Sequence, residues 1–190
     1  MSLGFLREFL RSPSTVGAVW PSSPALARLM VSAARVPDAE GVLELGPGSG
    51  AFTGEILQNL KTGADFLAIE KSPDLARAAA ARFPNARVIE GCATRLNDHL
   101  DEEGFPKPGA ILSGLPWAAF DEKLQQVILK EIVRALPRGG VFCTFAYFGP
   151  HWLRAGRKFR SGLEASFSEV RRTQVVLSNL PPAFVYRCRG

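Results

Sequence analysis

The stretch VLELGPGSG, residues 42–50, decides the fold of this chain of 190 residues. A strand-like run, Val42–Leu45, is followed by three glycines at alternate positions, Gly46, Gly48 and Gly50. A helical pattern begins at about Ala51. Glycine lets the backbone turn tightly, and the start of a helix offers free N–H groups with positive potential. The sequence therefore predicts a strand, a bare turn and a helix, with the turn able to approach a ligand closely.

Short apolar runs and helical stretches alternate beyond this turn. Ser23-Pro24 and Ser72-Pro73 mark helix starts, because serine caps a helix and proline fits its first position. A further helix is predicted from Asp121 to Leu136. The predicted strands are Val42–Leu45, Phe66–Glu70, Arg87–Glu90, Ala110–Ser113 and Val141–Tyr147, followed by a hairpin of Arg172–Leu177 and Phe184–Cys188. This alternation is typical of βαβ units in a parallel sheet.

Length and composition indicate one core, since 190 residues with 46% hydrophobic content are short for two domains. We predict one domain, 1–190, with a helical N-terminal segment over 1–36 and an α/β core over 37–190. The core is expected to be a Rossmann-like, mostly parallel seven-stranded sheet, with a C-terminal antiparallel hairpin and helices on both faces. No segment has the pattern of a secretion signal or a membrane-spanning helix.

The three cysteines and the charge distribution narrow the setting. Cys92, Cys143 and Cys188 form no CxxC pair, so we predict neither a disulfide framework nor a metal site, and a reducing cytosol fits best. The net charge is +5, and residues 151–190 hold eight Lys or Arg and two Glu. A positive surface of this kind suits polyanions, either nucleic-acid phosphates or anionic lipid headgroups, or serves only for solubility.

Glycine spacing separates this turn from a dinucleotide site. A dinucleotide fingerprint reads GxGxxG, whereas this turn reads GxGxG and carries Glu44 two residues ahead of Gly46. The ExGxGxG pattern resembles motif I of the class I S-adenosylmethionine-dependent methyltransferases. The resemblance implies that the glycine turn lies against the methionine portion of S-adenosylmethionine.

A second acid, Glu70, ends the next predicted strand, twenty residues beyond Gly50. The two oxygens of a carboxylate there can accept both ribose hydroxyls, although the same carboxylate can instead cap the helix at Ser72. The residues that we assign to the cofactor site are Glu44, Gly46, Gly48, Gly50, Glu70, Lys71, Cys92, Ala93 and Ser113.

The third strand is followed by Gly91-Cys92-Ala93, where methyltransferases of this type often have Gly-Asp-Ala. In those enzymes the aspartate accepts a hydrogen bond from the adenine amino group, and Cys92 is a poor acceptor. Three alternatives stay open: backbone groups contact the adenine, Asp98 does so, or the cofactor binds more weakly than usual.

The fourth strand runs into Gly114-Leu115-Pro116-Trp117, at the place that lines the acceptor pocket in class I enzymes. Methyltransferases acting on amino groups of nucleic-acid bases commonly have NLPY or a similar motif there, and the aromatic ring stacks on the flipped base. Gly114 stands in the place of the asparagine, so the side chain that holds an adenine amino group is missing. This departure narrows the acceptor, and a primary amine in this place would start largely protonated and would have to lose a proton.

Methyl transfer from a sulfonium is an in-line displacement, which needs alignment and exclusion of water rather than a covalent nucleophile. Aromatic faces attract the cationic product at roughly 0.5 to 2 kcal/mol each. The candidates for an aromatic wall are Trp117, Phe120, Tyr147, Phe148 and Trp20. Trp117 and Tyr147 are the rings we assign to the catalytic site, together with Leu115. His99 and His151 are both conceivable proton acceptors.

On these residues the chain resembles the small bacterial phospholipid N-methyltransferases, which share their core with ribosomal RNA adenine dimethylases. The similar stretches include Val16–Val19, Ser113–Pro116, Phe148–Pro150 and Asn179–Tyr186. The resemblance implies stepwise methylation of phosphatidylethanolamine toward phosphatidylcholine by a peripheral enzyme at the cytoplasmic face of the membrane. We expect a monomer with no nucleic-acid partner.

Two amphipathic stretches fit an anionic membrane surface. Apolar residues near the N-terminus fall on one side of a helix and charged residues on the other. The second stretch, HWLRAGRKFR, mixes aromatic and basic residues, and a basic residue near an anionic leaflet contributes about 1 kcal/mol. The predicted membrane contacts are Leu3, Leu6, Phe9, Trp152, Arg154, Arg157 and Lys158.

Two rival interpretations remain at the level of sequence. A methyltransferase acting on adenine N6 of ribosomal RNA or another nucleic acid also needs a basic face, but it favours an asparagine at position 114. A non-catalytic lipid- or cofactor-binding module is compatible with Cys92.

Overall fold

The computed structural model describes residues 22–190, and a seven-stranded sheet forms its centre. The strands are β1 (Gly41–Leu45), β2 (Asp65–Glu70), β3 (Arg87–Glu90), β4 (Ala110–Ser113), β5 (Val141–Tyr147), β6 (Glu169–Arg172) and β7 (Ala183–Arg189). Their order across the sheet is β3-β2-β1-β4-β5-β7-β6. The first five are parallel, and β7 lies antiparallel between β5 and β6. The predicted fold class is confirmed.

The part of the chain that the structure describes contains six α-helices, the first before β1 and the other five between strands. They are α1 (Pro24–Ala34), α2 (Thr53–Asn59), α3 (Pro73–Arg82), α4 (Leu96–Glu102), α5 (Glu122–Ala135) and α6 (Arg154–Ser166). The predicted serine caps are present, since Ser23 Oγ accepts the Leu26 N–H and Ser72 Oγ accepts the Leu75 N–H. Asp121 caps α5 in the same way through the Leu124 N–H.

Both faces of the sheet are covered, so successive residues of the inner strands enter different cores. Leu43 and Leu45 face one core with α4, α5 and α6, whereas Val42 faces the other with α1 and α2. Glu44, on the same face as Val42, therefore points toward α2. The glycine turn follows Leu45 and therefore lies at the carboxyl edge of the sheet.

The sequence analysis placed the first strand of the hairpin at Arg172–Leu177, and this prediction is wrong, because the strand lies earlier in the chain. The paired segment is β6, and beyond Arg172 only Val176 forms an isolated bridge, to Ala183. β6 ends at Arg172. The Thr173 N–H still donates to the Val185 carbonyl at 2.9 Å, but the Val185 N–H donates to Thr173 Oγ1 at 2.9 Å instead of to the main chain. The valines that follow have the composition of a strand but lie in the connection to β7.

The described end of the N-terminal segment packs on the sheet rather than away from it. In α1, Leu26 and Met30 are fully buried, and the Ala33 carbonyl accepts a hydrogen bond from Arg187 Nε at 2.9 Å. The predicted membrane contacts Leu3, Leu6 and Phe9, and the ring of Trp20, lie outside the described residues. Across residues 22–190, no helix combines the length and the apolar composition that crossing a membrane requires.

Candidate active site

The glycine turn leaves the carboxyl end of β1 with all three glycines in the left-handed region. Gly46, Gly48 and Gly50 have φ values of +72°, +52° and +79°. A Cβ on Gly46 would lie 2.8 Å from the Leu115 side chain, and one on Gly50 would lie 2.4 Å from Phe83. No atom lies within 4 Å of a Cβ built on Gly48, so the bare backbone borders open space there. The turn thus has the shape that a closely approaching cofactor requires.

Glu70 joins the glycine turn to the start of α3. Its Oε2 accepts the Gly48 N–H at 3.1 Å, and its Oε1 accepts the Ser72 N–H at 2.9 Å. Each carboxylate oxygen offers two lone pairs, so one on each remains for a ligand. Glu70 thus contacts the start of the helix at Ser72, as the capping alternative predicts, and its oxygens can still accept hydrogen bonds from ribose hydroxyls. Lys71 follows in an exposed position.

Glu44 lies beneath the glycine turn and is fully buried. Its Oε2 accepts the Thr53 hydroxyl at 2.8 Å at the start of α2, while Oε1 has no partner among the described residues. Burial raises the pKa of Glu44 to about 8, and the nearby Glu70 charge adds to this rise. The carboxyl group is therefore largely protonated at neutral pH. It connects β1 to the start of α2 beneath the glycine turn.

Cys92 begins the turn after β3. Its N–H donates to His99 Nε2 at 3.3 Å, and its Sγ accepts the Thr94 hydroxyl at 3.1 Å. Burial raises the pKa of the thiol, but the Thr94 hydroxyl and backbone, together with the Lys71 charge, outweigh it and lower the pKa. His99 lies on α4, contacts this turn through Nε2 and does not line the cavity beside the glycine turn.

Ala93 and Asp98 are the two other residues that the sequence analysis connected with adenine recognition. Ala93 opens a short 3-10 turn, Ala93–Arg95, directly after Cys92. Asp98, which sequence offered as an alternative acceptor, is exposed and paired with Arg95 at 3.1 Å. The side chain of Asp98 is thus already committed to an ion pair at the surface.

A cavity of about 270 Å³ opens between the glycine turn, the turn after β4, the end of β5 and α6. The predicted residues Gly46, Leu115, Trp117 and Tyr147 line it together. Sequence reasoning missed four rings of its wall, namely Phe52, Phe145, Phe159 and Tyr186. Phe145 was accessible to prediction, since residues two apart on a strand share a face and Tyr147 was already assigned.

Trp117 is almost fully buried and forms the base of the cavity. Its Nε1 donates to Ser113 Oγ at 3.0 Å, and its ring stacks on Phe159 with centroids 4.9 Å apart. Ser113 is fully buried, and its hydroxyl also accepts the Leu115 N–H at 3.3 Å. Ser113 therefore fixes the turn and the indole and does not itself line the cavity.

Gly114 brings the turn after β4 into contact with the glycine turn. A Cβ at this position would lie 2.6 Å from the Gly46 carbonyl oxygen, far inside van der Waals contact. The Gly114 N–H also donates to the Leu45 carbonyl at 2.8 Å. An asparagine at position 114 would require the two backbones to separate. The close contact with Gly46 therefore explains why a glycine stands where related motifs have an asparagine.

Two polar rings, Tyr147 and His151, line the cavity, and His151 lies at its outer end, beside the exposed Trp152. Burial raises the pKa of Tyr147 to about 12, so its hydroxyl stays protonated. Burial and the Arg172 and Arg160 charges lower the pKa of His151, and they outweigh a backbone hydrogen bond to Tyr147 that raises it. Of the two histidines considered as proton acceptors, only His151 lines the cavity.

The other two predicted rings stand outside the cavity wall. Phe120 packs edge-on against Trp117, with centroids 6.1 Å apart. Phe148 is exposed and lies beside Trp152, with centroids 5.1 Å apart. Phe120 is therefore a packing residue behind the indole, and Phe148 belongs to the surface around Trp152.

This strand order, with a glycine turn facing an acid at the end of the second strand, defines a class I S-adenosylmethionine-dependent methyltransferase. The structure is similar to that of an O-methyltransferase from Bacillus cereus solved in complex with SAH, with a TM-score of 0.71, at 16% identity, over 100% of this chain and 92% of that one. S-adenosylmethionine supplies the methyl group, and the glycine turn with Glu70 would hold it.

The chain belongs to the same family as the ornithine lipid N-methyltransferase of Singulisphaera acidiphila. It is 30% identical to that protein over 189 residues, which cover 98% of this chain and 94% of the relative. A ribosomal RNA small subunit methyltransferase A from Thermotoga maritima is 26% identical over 136 residues, 70% of this chain and 46% of that protein. No family model matches the chain.

Proposed function

We propose that this methyltransferase transfers methyl groups to the primary amine of a zwitterionic membrane lipid at the cytoplasmic face of the membrane. The similarity to a lipid-methylating relative over nearly the whole of both chains carries the proposal. The cavity supports it, because its wall is mostly apolar and aromatic beside the glycine turn, a lining that suits a methylated ammonium.

Two lipids are candidates for the acceptor. Phosphatidylethanolamine, converted stepwise toward phosphatidylcholine, is the acceptor that the sequence resemblance implies. Ornithine lipid is the acceptor named for the Singulisphaera acidiphila relative. Both present a primary amine a few bonds from an anionic group, so one cavity can serve either.

The residues of the cavity would act by position and by exclusion of water. Leu115 and Trp117 close the base beside Gly46, and Tyr147 closes the side, so the amine reaches the glycine turn in a water-poor space. A primary amine enters largely protonated and must lose a proton before transfer. His151 does not accept this proton, because its Nδ1 accepts the Gly149 N–H at 3.1 Å and its Nε2 lies 3.1 Å from Arg172 Nη1.

The membrane contact is proposed to lie around the outer end of the cavity. Trp152 and Leu153 are 61% and 54% exposed and directly precede α6. Arg154 and Arg157 have no carboxylate partner among the described residues, whereas Lys158 is paired with Glu122 at 2.7 Å. Two exposed apolar side chains with two free cations suit an anionic leaflet. We propose that the enzyme binds there as a monomer.

An RNA acceptor is the second candidate function, favoured by the relatives that act as ribosomal RNA methyltransferases. Those matches cover 46% and 37% of the relatives, and the contact between Gly114 and Gly46 leaves no space for an asparagine side chain. Binding to total RNA that falls steeply with salt, together with label in RNA, would favour this function.

The acceptor can be identified by mass spectrometry of lipids after reaction. The protein is incubated with S-adenosylmethionine and vesicles containing an anionic lipid and either phosphatidylethanolamine or ornithine lipid. We expect mass increments of one, two or three methyl groups on at least one of the two lipids. Unmodified lipids with both vesicles, while the protein binds S-adenosylmethionine by calorimetry, would contradict the proposal.

A further inference from the structure

A guanidinium stands beside the cavity on the C-terminal hairpin. Arg172 is the last residue of β6 and lies directly opposite Tyr186 of β7. Residues opposite each other in an antiparallel pair share a face of the sheet. Tyr186 lines the cavity, so Arg172 rises from the sheet on the cavity side.

Two aromatic contacts hold this side chain in place. The Arg172 guanidinium carbon lies 5.1 Å from the centre of the Phe184 ring, and its Nη1 lies 3.1 Å from His151 Nε2. His151 also lines the cavity. A guanidinium has five N–H donors, so the contact with one imidazole nitrogen leaves most of them free.

The charge of Arg172 is not neutralised in the part of the chain that the structure describes. Its neighbour Arg171 is paired with Glu169 at 2.6 Å, and Arg160 is paired with Glu164 at 2.8 Å. No carboxylate of residues 22–190 lies within ion-pair distance of Arg172. An exposed, oriented and unneutralised guanidinium at the rim of a cavity is a site for an anion.

We propose that Arg172 binds the anionic group of the lipid headgroup, either a phosphate or a carboxylate, and so directs the amine into the cavity. The inference rests on the proposed function. The guanidinium fork matches both anions in a bidentate geometry, and His151 and Phe184 keep it at the rim. Because the anion is held at the rim, the amine end of the headgroup points into the cavity, toward Gly46 of the glycine turn.

This arrangement gives the enzyme a way to select its lipid. The amine alone is common to many compounds, and the apolar wall does not distinguish among them. An anion contact a fixed distance from Gly46 selects headgroups that carry both groups, and it lowers the entropy cost of alignment. Arg172 is therefore a binding and specificity residue for the acceptor.

The test compares Arg172→Gln with Arg171→Gln, which removes the same charge from the opposite face of the same strand. Initial rates are measured on vesicles that contain phosphatidylethanolamine, ornithine lipid or a long-chain primary alkylamine without an anionic group. We expect Arg172→Gln to raise KM by about tenfold or more for at least one zwitterionic lipid, which is the loss of a charge-assisted contact. Turnover of the alkylamine and all rates of Arg171→Gln are expected to be unchanged.

The outcomes distinguish failure of the role proposed for Arg172 from failure of lipid methylation itself. A selective loss with phosphatidylethanolamine identifies a phosphate as the anion, and a selective loss with ornithine lipid identifies a carboxylate. Unchanged KM values, an equal loss with the alkylamine, or an equal effect of Arg171→Gln would overturn the role of Arg172 and leave lipid methylation standing. Failure of the wild-type protein to methylate any of the three would contradict the proposed function, and this inference with it.

Arg172→Lys distinguishes recognition from folding, because it keeps the charge and loses the fork. We expect it to recover part of the affinity for a phosphate, and we expect the thermal unfolding midpoint and S-adenosylmethionine affinity of both Arg172 variants to match the wild type. A lowered midpoint with a proportionate loss on every substrate would show that Arg172 only stabilises the hairpin, and would overturn the inference.

Discussion

At the scale of single residues, the contact between Gly114 and Gly46 connects the acceptor side of the site to the cofactor side. The two glycines follow neighbouring parallel strands, so their backbones meet at the carboxyl edge of the sheet. The sequence analysis assigned Gly46 to the cofactor site and placed Gly114 in the turn expected beside the acceptor pocket. It did not give the 2.6 Å approach, because a contact between turns of different strands depends on the twist and register of the sheet.

Substitution of Gly114 by alanine tests this contact. The added methyl group would press on the Gly46 carbonyl oxygen, and overpacking of this kind costs about 1–3 kcal/mol. We expect weaker S-adenosylmethionine binding by calorimetry and a lower unfolding midpoint. Gly109→Ala is the matched control, since its Cβ would meet ordinary contacts at 3.5 Å. Equal behaviour of the two variants would show that the contact is unimportant.

The Glu70 carboxylate is the residue on which cofactor affinity is expected to depend most. Glu70→Gln replaces one acceptor oxygen by a donor, which faces either the Gly48 or the Ser72 N–H. We expect at least about a tenfold loss in S-adenosylmethionine affinity by calorimetry, because a charged hydrogen-bond acceptor is lost. The control is Asp74→Asn, an exposed acid in the first turn of α3. Unchanged affinity in Glu70→Gln would remove Glu70 from the cofactor site.

The buried Glu44 carboxyl group predicts a dependence of stability on pH. Its pKa is about 8 in the folded protein against an ordinary value of 4.5, so the unfolded chain releases this proton first. Folding therefore loses stability as pH rises from about 4.5 to about 8, and the loss levels off above that. We expect Glu44→Gln to flatten the decline of the unfolding midpoint across this range. Parallel curves for the two proteins would contradict the assignment.

At the scale of elements, the parallel strands were predictable and the hairpin was predictable only in part. The strands from Arg87, Ala110 and Val141 begin and end where the sequence placed them. β4 is a buried apolar run between clear turn signals, whereas β3 is an edge strand whose two ends are exposed. The error in the hairpin came from Val175 and Val176, which have strand composition. At Thr173 the Val185 N–H donates to the side-chain Oγ1 rather than to the main chain, and composition does not reveal such a contact.

The element proposed for membrane contact is the segment that leads into α6. Trp152→Ser with Leu153→Ser removes two exposed apolar side chains that support no core. We expect much weaker binding to anionic vesicles in a sedimentation assay, with S-adenosylmethionine affinity and the unfolding midpoint unchanged. Leu75→Ser is the control, since Leu75 is also exposed, at 43%, but lies on α3. Vesicle binding that equals the wild type would place the membrane contact elsewhere.

At the scale of the whole molecule, the sheet brings residues from distant parts of the sequence to one edge. The glycine turn, the turn after β4 and the end of β5 were each predicted to contribute. The contribution of α6 and β7, through Phe159 and Tyr186, was not predicted, because nothing local in their sequence distinguishes a cavity ring from a core ring. The three residues assigned to the catalytic site, Leu115, Trp117 and Tyr147, all line the cavity, whereas of the nine residues assigned to the cofactor only Gly46 does.

The most direct test of the central claim counts label from S-adenosylmethionine in two acceptors offered side by side. The protein is incubated with methyl-labelled S-adenosylmethionine, vesicles of an amine lipid with an anionic lipid, and total RNA, and the lipid and RNA fractions are then counted separately. We predict label in the lipid fraction and background counts in RNA. Label confined to RNA would contradict methylation of a lipid amine and would favour the ribosomal RNA methyltransferases as the functional model.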